Sequence, residues 1–395
     1  MPASPQPTSP SAAAAGSNPE RATQGWILER TPRDAARELR VFGLTPGERL
    51  RRALERAGCA ARRVDDDALP ALARGERVVV LRADRVLDER IVEALAAAPD
   101  TLLVHAALGP LGAQARGDDA PAAVEALLGR GPLPVRLRRA APETLVSPYF
   151  AKLRKREAPW ACEARADLVG EIERRLFDAS YKGVTDLVTK WVWPRPALAA
   201  TRWCAQRGVS PNAVTLVSWV LTIAATALFA AGWFGTGLLL AWAMTFLDTV
   251  DGKLARVTLT SSRVGDVLDH GLDLLHPPFW YLAWGYGLDG GLPVTAAIAV
   301  AGYVAGRALE GVFLAAFEFE AHSWRPIDAL FRTITARRNP NLILLSVGTL
   351  GGRPDLGLVM VALWTVVSIG FHVVRLAQAF AARRRGDEVK PWDAR

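Results

Sequence analysis

Two hydrophobic periodicities divide the chain. Between about residue 38 and residue 150, short apolar runs alternate with charged, helix-patterned ones: ELRVFG, PGERLRRALERAG, RVVVLRAD at 77 to 84, DERIVEALAAA, and TLLVHAA at 101 to 107. Short apolar runs, several of them rich in Val, read as strands, and their alternation with helices predicts an α/β domain with a mostly parallel sheet. Beyond Ser210 the pattern becomes a series of long apolar stretches, at roughly 212 to 233, 236 to 257, 264 to 288, 292 to 317, 340 to 352 and 355 to 379. Several approach the roughly 20 residues that span hydrocarbon. The expected architecture is therefore a soluble α/β domain followed by an all-α polytopic membrane domain of six transmembrane helices, the fifth of them short.

The remaining segments fit around that division. Residues 1–25 are rich in Pro, Ser and Ala without the apolar run of a secretory signal, and read as a disordered tail. The α/β domain is assigned to 26–150 and a charged helical linker with an interfacial Trp/Pro/Arg segment (WVWPRPALAATRWCAQRG) to 151–209. The membrane domain is assigned to 210–382 and a cytosolic tail to 383–395. If all six stretches cross, basic segments at 253–263, 325–338 and 383–385 share one side with the N-terminal domain, as the positive-inside rule requires. This orientation places both termini in the cytosol of a bacterial-type inner membrane.

Composition sharpens the picture only a little. Half of the residues are hydrophobic and 13 are Trp, which suits a membrane protein, and the net charge of +8 suits anionic headgroups or phosphorylated substrates. Neither calls for a nucleic-acid partner. Cys59, Cys162 and Cys204 lack the spacing of a disulfide framework or a zinc site.

The candidate chemistry lies where the second apolar stretch ends and the third begins, in FLDTVDGKLARVTLTSSRVGDVLDHGLDLL. Asp248 and Asp251 are three apart, and Asp269 and Asp273 four apart, so on helices each pair projects from one face, and a hairpin can bring the faces together. Converging carboxylates at a membrane boundary repel one another unless cations neutralise them. Oxygen-only donors favour Mg²⁺ or Mn²⁺, as one ion or two. Gly252, Ala255 and Gly265 leave space for a ligand or a neighbouring helix, and Arg256 can pair with a phosphate or an aspartate. The competing reading is a set of solvated charges at a hairpin end.

The pattern D248-x2-D251-G252-x2-A255-R256-x8-G265-x3-D269-x3-D273 resembles the complete signature of the CDP-alcohol phosphotransferases, over about residues 180 to 380. The resemblance implies six transmembrane helices, a homodimer, and divalent-metal-dependent transfer of a phosphoalcohol from a CDP-linked donor to a hydroxyl acceptor with release of CMP, in phospholipid or polar-lipid synthesis. It makes Asp248, Asp251 and Asp269 metal ligands and Asp273 a ligand or general base. Asp251, Gly252, Ala255, Arg256 and Gly265 would border the CDP moiety.

Acceptor or phosphate contacts are sought at Arg195, Arg307, Arg337 and Arg338, against the plainer readings of headgroup contacts, topology determinants and an Arg307–Glu310 ion pair. His270 and His276 read as structural. In the N-terminal half, G43-L44-T45-P46-G47-E48-R49-L50 and Asp84 resemble the nucleotidyltransferases fused to such membrane domains in inositol-phosphate-using relatives. Pro46 and the loosened glycine spacing make that domain degenerate, and Asp84 reads as a metal ligand or simply a helix cap. Two further functions stand beside the main one: a bifunctional enzyme that also makes its own CDP-alcohol, such as CDP-inositol, and a cation-binding transporter or nucleotide sensor.

Overall fold

The computed structural model describes residues 23–29, 39–65, 69–73, 75–261 and 263–392, with the side chains at 151, 263, 264, 266–270, 272 and 273 outside the description. Most of the expected tail falls outside it, but the tail boundary is too long: Gln24–Glu29 is a strand, β1, at the heart of the N-terminal sheet.

The N-terminal part is α/β. After β1 come α1 (Pro46–Arg56), β2 (Ala60–Asp65), β3 (Arg77–Arg82), β4 (Arg85–Leu87), α2 (Glu89–Ala97), β5 (Thr101–His105), β6 (Gly109–Arg116), α3 (Ala120–Leu128) and β7 (Arg138–Ala140). A short α4 (Pro142–Leu145), the two-residue strands β8 (Tyr149–Phe150) and β9 (Lys155–Arg156), and β10 (Ala161–Glu163) complete it. Helix α1 starts where its sequence says it should. Thr45 accepts from Glu48 N and Glu48 reaches back to Thr45 N, a capping box, with Pro46 in the first turn.

The main sheet has the order β2-β1-β3-β6-β5-β7 and is mixed rather than mostly parallel. Strands β2, β1 and β3 run parallel, as do β5 and β7, but β6 lies antiparallel to both β3 and β5. The cause is the tight turn at 106–108, too short for a crossover, which folds β6 straight back on β5. Gly and Pro in GPLGAQAR hid this strand from its sequence. The run ELRVFG also departs from expectation: its described part forms a turn closed by an isolated Val41–Leu44 bridge. The charged stretch 150–190 is less helical than its composition suggests, with one regular helix, α5 (Val169–Ala179), and a π-turn at Val188–Val192.

The C-terminal part is helical: α6 (Pro194–Gln206), α7 (Pro211–Ala230), α8 (Phe234–Val257), α9 (Arg263–Gly287), α10 (Pro293–Phe317), α11 (Pro326–Arg332), α12 (Arg338–Leu350) and α13 (Pro354–Arg384). Helices α7, α8, α9, α10, α12 and α13 coincide with the six apolar stretches, and α9 continues through Pro277 and Pro278. Among the described residues, α7, α10 and α13 are long and apolar enough to cross a membrane. Helix α8 carries Asp248, Asp251, Lys253 and Arg256, and α12 has only 13 residues. The bundle core holds Trp284 against Phe229 and Phe234, with ring centroids 4.8 and 4.5 Å apart. Outward-facing positions are apolar, among them Leu216, Val220 and Ile223 on α7 and Leu363, Val366 and Val367 on α13. An apolar exterior of this kind is what a lipid-facing bundle presents.

The two parts are tied together at the residues that suggested a phosphate loop. Gly43 has φ of +72°, and a Cβ there would lie 2.5 Å from the Ala205 carbonyl oxygen of α6. Phe42 is fully buried and its N–H donates to Glu173 of α5 at 2.8 Å. Glu173 in turn accepts from Arg202 of α6 at 2.7 Å. The glycine thus serves a close helix contact. Asp84 is held by Arg82, with Nη2 to Oδ2 at 2.7 Å, and by Arg85 at 3.3 Å. Gly43→Ala should strain the backbone and push α6 away, costing roughly 1–3 kcal/mol. Thermal unfolding of the detergent-solubilised protein is expected to show the lower transition, together with faster proteolysis between 160 and 210.

Candidate active site

Helix α8 positions the first acidic pair. Asp248 and Asp251, three residues apart, lie on neighbouring sides of its last turns, and each is oriented by a neighbouring helix. Arg338, at the start of α12, donates from Nη2 to Asp248 Oδ2 at 2.6 Å. Thr215 of α7 donates from Oγ1 to Asp251 Oδ2 at 2.6 Å. Asp251 is only 3% exposed, and the Oδ1 atoms of both aspartates are buried.

Gly252 explains part of the motif's spacing. It lies one turn before Arg256, and a Cβ at 252 would sit 3.0 Å from Arg256 Nη2. The bare backbone lets the guanidinium lie along the helix beside the aspartates. Lys253 is buried beneath Tyr181, its Nζ 3.0 Å from the ring centroid and donating to Ser180 O at 3.2 Å.

These groups open onto a cavity of about 520 Å³ walled by α8, α9 through Leu274, α10, α11, α12 and the segments at 181–189 and 320–322. Asp248, Gly252, Arg256, Arg307, Arg337 and Arg338 line it. Asp251 faces α7 instead, Arg195 is exposed on α6, and neither Ala255 nor Gly265 is among the described residues that line the cavity. The second acidic pair lies on the backbone of α9, but the side chains of Asp269 and Asp273, like that of His270, are outside the described residues. Among the described residues no three His, Cys, Asp or Glu side chains gather as a metal cluster. His276 is buried edge-on to Trp280, a packing role.

The donor set suits a hard divalent cation. Asp248 and Asp251 offer carboxylate oxygen alone, Thr215 adds a hydroxyl, and none of the three cysteines, all of them free, lines the cavity. The expected Arg307–Glu310 ion pair is present, and Glu310 also binds Arg337. Among the described residues, with Arg154, Lys182, Lys253, Arg256 and Arg332 added to Arg307, Arg337 and Arg338, eight basic side chains line the cavity with Asp186, Asp248, Glu310 and Glu320. The cavity therefore attracts anions.

Several site residues were not foreseen. Thr215 follows the SPN turn in a helix whose other hydroxyls, on Ser218, Thr222 and Thr226, bond their own backbone, so nothing in the sequence sets it apart. Arg154, from the loop after β8, pairs with Glu320 and donates to His322 Nε2 at 2.6 Å. Burial and the surrounding arginines hold the His322 imidazole well below its usual pKa, so it is neutral and can accept that bond. Asp186 supports the arginine wall by accepting from Asn339 Nδ2 at 2.9 Å, from the N–H groups of Val188 and Thr189 at 3.0 Å, and from Thr189 Oγ1. The one sequence signal for this was Asn339 directly after Arg338 at the start of an apolar helix.

Residues 208–372 match the model of the CDP-alcohol phosphatidyltransferase family. A curated relative, the bifunctional IPC transferase and DIPP synthase of Rubrobacter xylanophilus, is 33% identical over 153 residues, which make up 38% of this chain and 33% of that protein. The chain thus spans about a third of the length of the relative it matches. Among solved structures, the phosphatidylinositol phosphate synthase of Mycobacterium tuberculosis with CDP-DAG bound aligns at 17% identity and a TM-score of 0.38, over 46% of this chain and 94% of that one. Its complex with manganese and citrate gives the same identity and TM-score over 46% and 88%.

Burial on its own would raise the Asp186 pKa, but the hydrogen bonds from Asn339 and Thr189 and the charge of Arg332 outweigh it and hold the carboxyl below its ordinary 3.8. A depressed pKa stabilises the fold above the ordinary value, and that stability is lost as pH falls through the folded one. Asn339→Leu should therefore destabilise the protein by about 1.5–3 kcal/mol near neutral pH. The gap to wild type should close as the pH is taken below 3.8, which thermal melts across a pH series would show.

Proposed function

We propose that the chain is a multi-pass inner-membrane transferase that moves a phosphoalcohol from a CDP-linked donor to a hydroxyl acceptor that itself carries phosphate or another anion, releasing CMP. The observation that carries this reading is the pairing of Asp248 and Asp251 on one helix beside a cavity whose described lining is net positive. Six helices, α7 to α10, α12 and α13, form the membrane domain, assigned to residues 210–382, with the α/β domain (26–150), the linker (151–209) and the tail (383–395) on the cytosolic side. A homodimer follows from the family alone.

In this reading Asp248, Asp251, Asp269 and Asp273 hold one or two Mg²⁺ or Mn²⁺ ions. The bound cation supplies Lewis-acid stabilisation of the charge that grows on the departing CMP oxygen. Arg256, laid along Gly252, grips the donor's diphosphate, with Ala255 and Gly265 bordering it. Asp273 takes the acceptor hydroxyl's proton as the new P–O bond forms and the bond to CMP breaks. Arg307, Arg337 and Arg338 hold the acceptor's anionic group, and the tie between Arg338 and Asp248 joins the acceptor half to the metal half. The donor is a CDP-diacylglycerol or a soluble CDP-alcohol of the CDP-inositol type. The α/β domain makes no CDP-alcohol itself, because its glycine turn is packed on α6 and Asp84 is held by two arginines.

Purified protein supplied with Mn²⁺, each donor type, and inositol with or without a phosphate should release CMP only with the phosphorylated acceptor. Asp248→Asn should reduce that rate by roughly a hundredfold. CMP release unaffected by Asp248→Asn, or equal with both acceptors, refutes the assignment. Gly252→Ala should leave the melting temperature unchanged while raising the donor KM roughly tenfold, the loss of one charge-assisted contact. CTP alone should give no pyrophosphate.

A further inference from the structure

The turn joining the two halves of the aspartate motif is embedded in the N-terminal domain. Helix α8 ends at Val257, and its last carbonyls are taken by two arginines of α1: Arg49 Nη1 donates to Val257 O at 2.5 Å and Arg52 Nη1 to Thr258 O at 2.6 Å. Arg49 is buried, and Arg52 is half-buried at the rim. The next residue, Leu259, adopts φ of +55°, a left-handed conformation that a branched side chain enters only when its surroundings hold it there. They do so by burying it among Leu50, Leu54, Leu87 and Ile91 of the α/β core. Thr258 closes the turn by donating from Oγ1 to Leu254 O at 2.6 Å.

We propose that the α/β domain acts as a clasp that sets the angle between α8 and α9, and hence the separation of the two aspartate pairs, through the positioning residues Arg49, Arg52 and Leu259. The inference rests on the aspartate reading above. The turn that begins at Thr258 lies on the direct covalent path between Asp251 and Asp269, so its geometry propagates toward the second acidic pair. Two guanidiniums on consecutive carbonyls fix the end of α8 in direction as well as position. Leu259 fixes the departing chain. A domain with no catalytic task of its own thereby becomes a structural part of the transferase centre.

The test reads Mn²⁺ binding directly, by electron paramagnetic resonance titration of the full-length protein without substrates, alongside CMP release. Arg49→Gln and Leu259→Ala should each weaken Mn²⁺ binding roughly tenfold, the size of an outer-shell effect on a metal site. The donor KM at saturating Mn²⁺ should be unchanged. Arg49→Lys, which keeps the charge but loses the fork, should recover part of the affinity. Arg116→Ala, on the distant strand β6, should leave it unaltered. If Arg49→Gln does not fold, Arg52→Gln and Leu259→Ala carry the comparison, since each removes one tie alone. Wild-type Mn²⁺ affinity in a folded Arg52→Gln or Leu259→Ala protein overturns the clasp. Mn²⁺ binding that is indifferent to Asp248→Asn overturns the aspartate reading instead, and the two failures are told apart by which variant is silent.

Discussion

The whole arrangement turns on carboxylates placed where water is scarce. Asp251 is 3% exposed in a helical bundle, and a carboxyl group buried that far is costly unless its oxygens find partners. The surrounding elements supply partners from several directions. Helix α7 gives a hydroxyl to Asp251 through Thr215, and α12 gives Arg338 to its neighbour Asp248, while Arg256 lies over the bare backbone of Gly252. Packing of the bundle and preparation of the site are therefore the same set of contacts.

The same economy shows in the wall opposite. Glu310 holds Arg307 and Arg337 together, and Asp186 anchors Asn339 directly behind Arg338. Like charges brought this close need acids between them. The result is a basic cavity that is rigid before any anion arrives, so that less ordering entropy is lost when one binds.

Much of this was legible in the sequence, for identifiable reasons. The six apolar stretches have the 3.6-residue chemistry of helices with clear breaks, and α7 to α10, α12 and α13 fall on them. The motif aspartates announced themselves because charge in an apolar run is costly. Strand β6 was not legible, since Gly and Pro mask strand character, and a tight turn decided its direction where pattern could not. Nor were Thr215 and Arg154, whose parts depend on elements far away in the chain: Thr215 meets α8, and Arg154 crosses to Glu320 and His322. Gly43 was noticed for the right property, a backbone without a side chain, and assigned the wrong neighbour, because sequence shows that a close approach is possible without showing what approaches.

The brevity of α12 has a consequence for where the chemistry sits. Thirteen residues make a rod of only about 20 Å, against a hydrocarbon slab of about 30 Å. In the proposed arrangement, with the far end of that rod at the outer surface, Arg338 at its opening would lie about 10 Å beneath the opposite boundary. Asp248 gives an independent measure, standing nine residues before the end of α8, or about 14 Å along its axis. Under the proposed six-span arrangement both put the meeting point inside the slab, and the leaflet above it would be locally thinned or flooded. A water-soluble reactant would descend through that wet funnel, while a lipid-borne one would reach the same depth sideways.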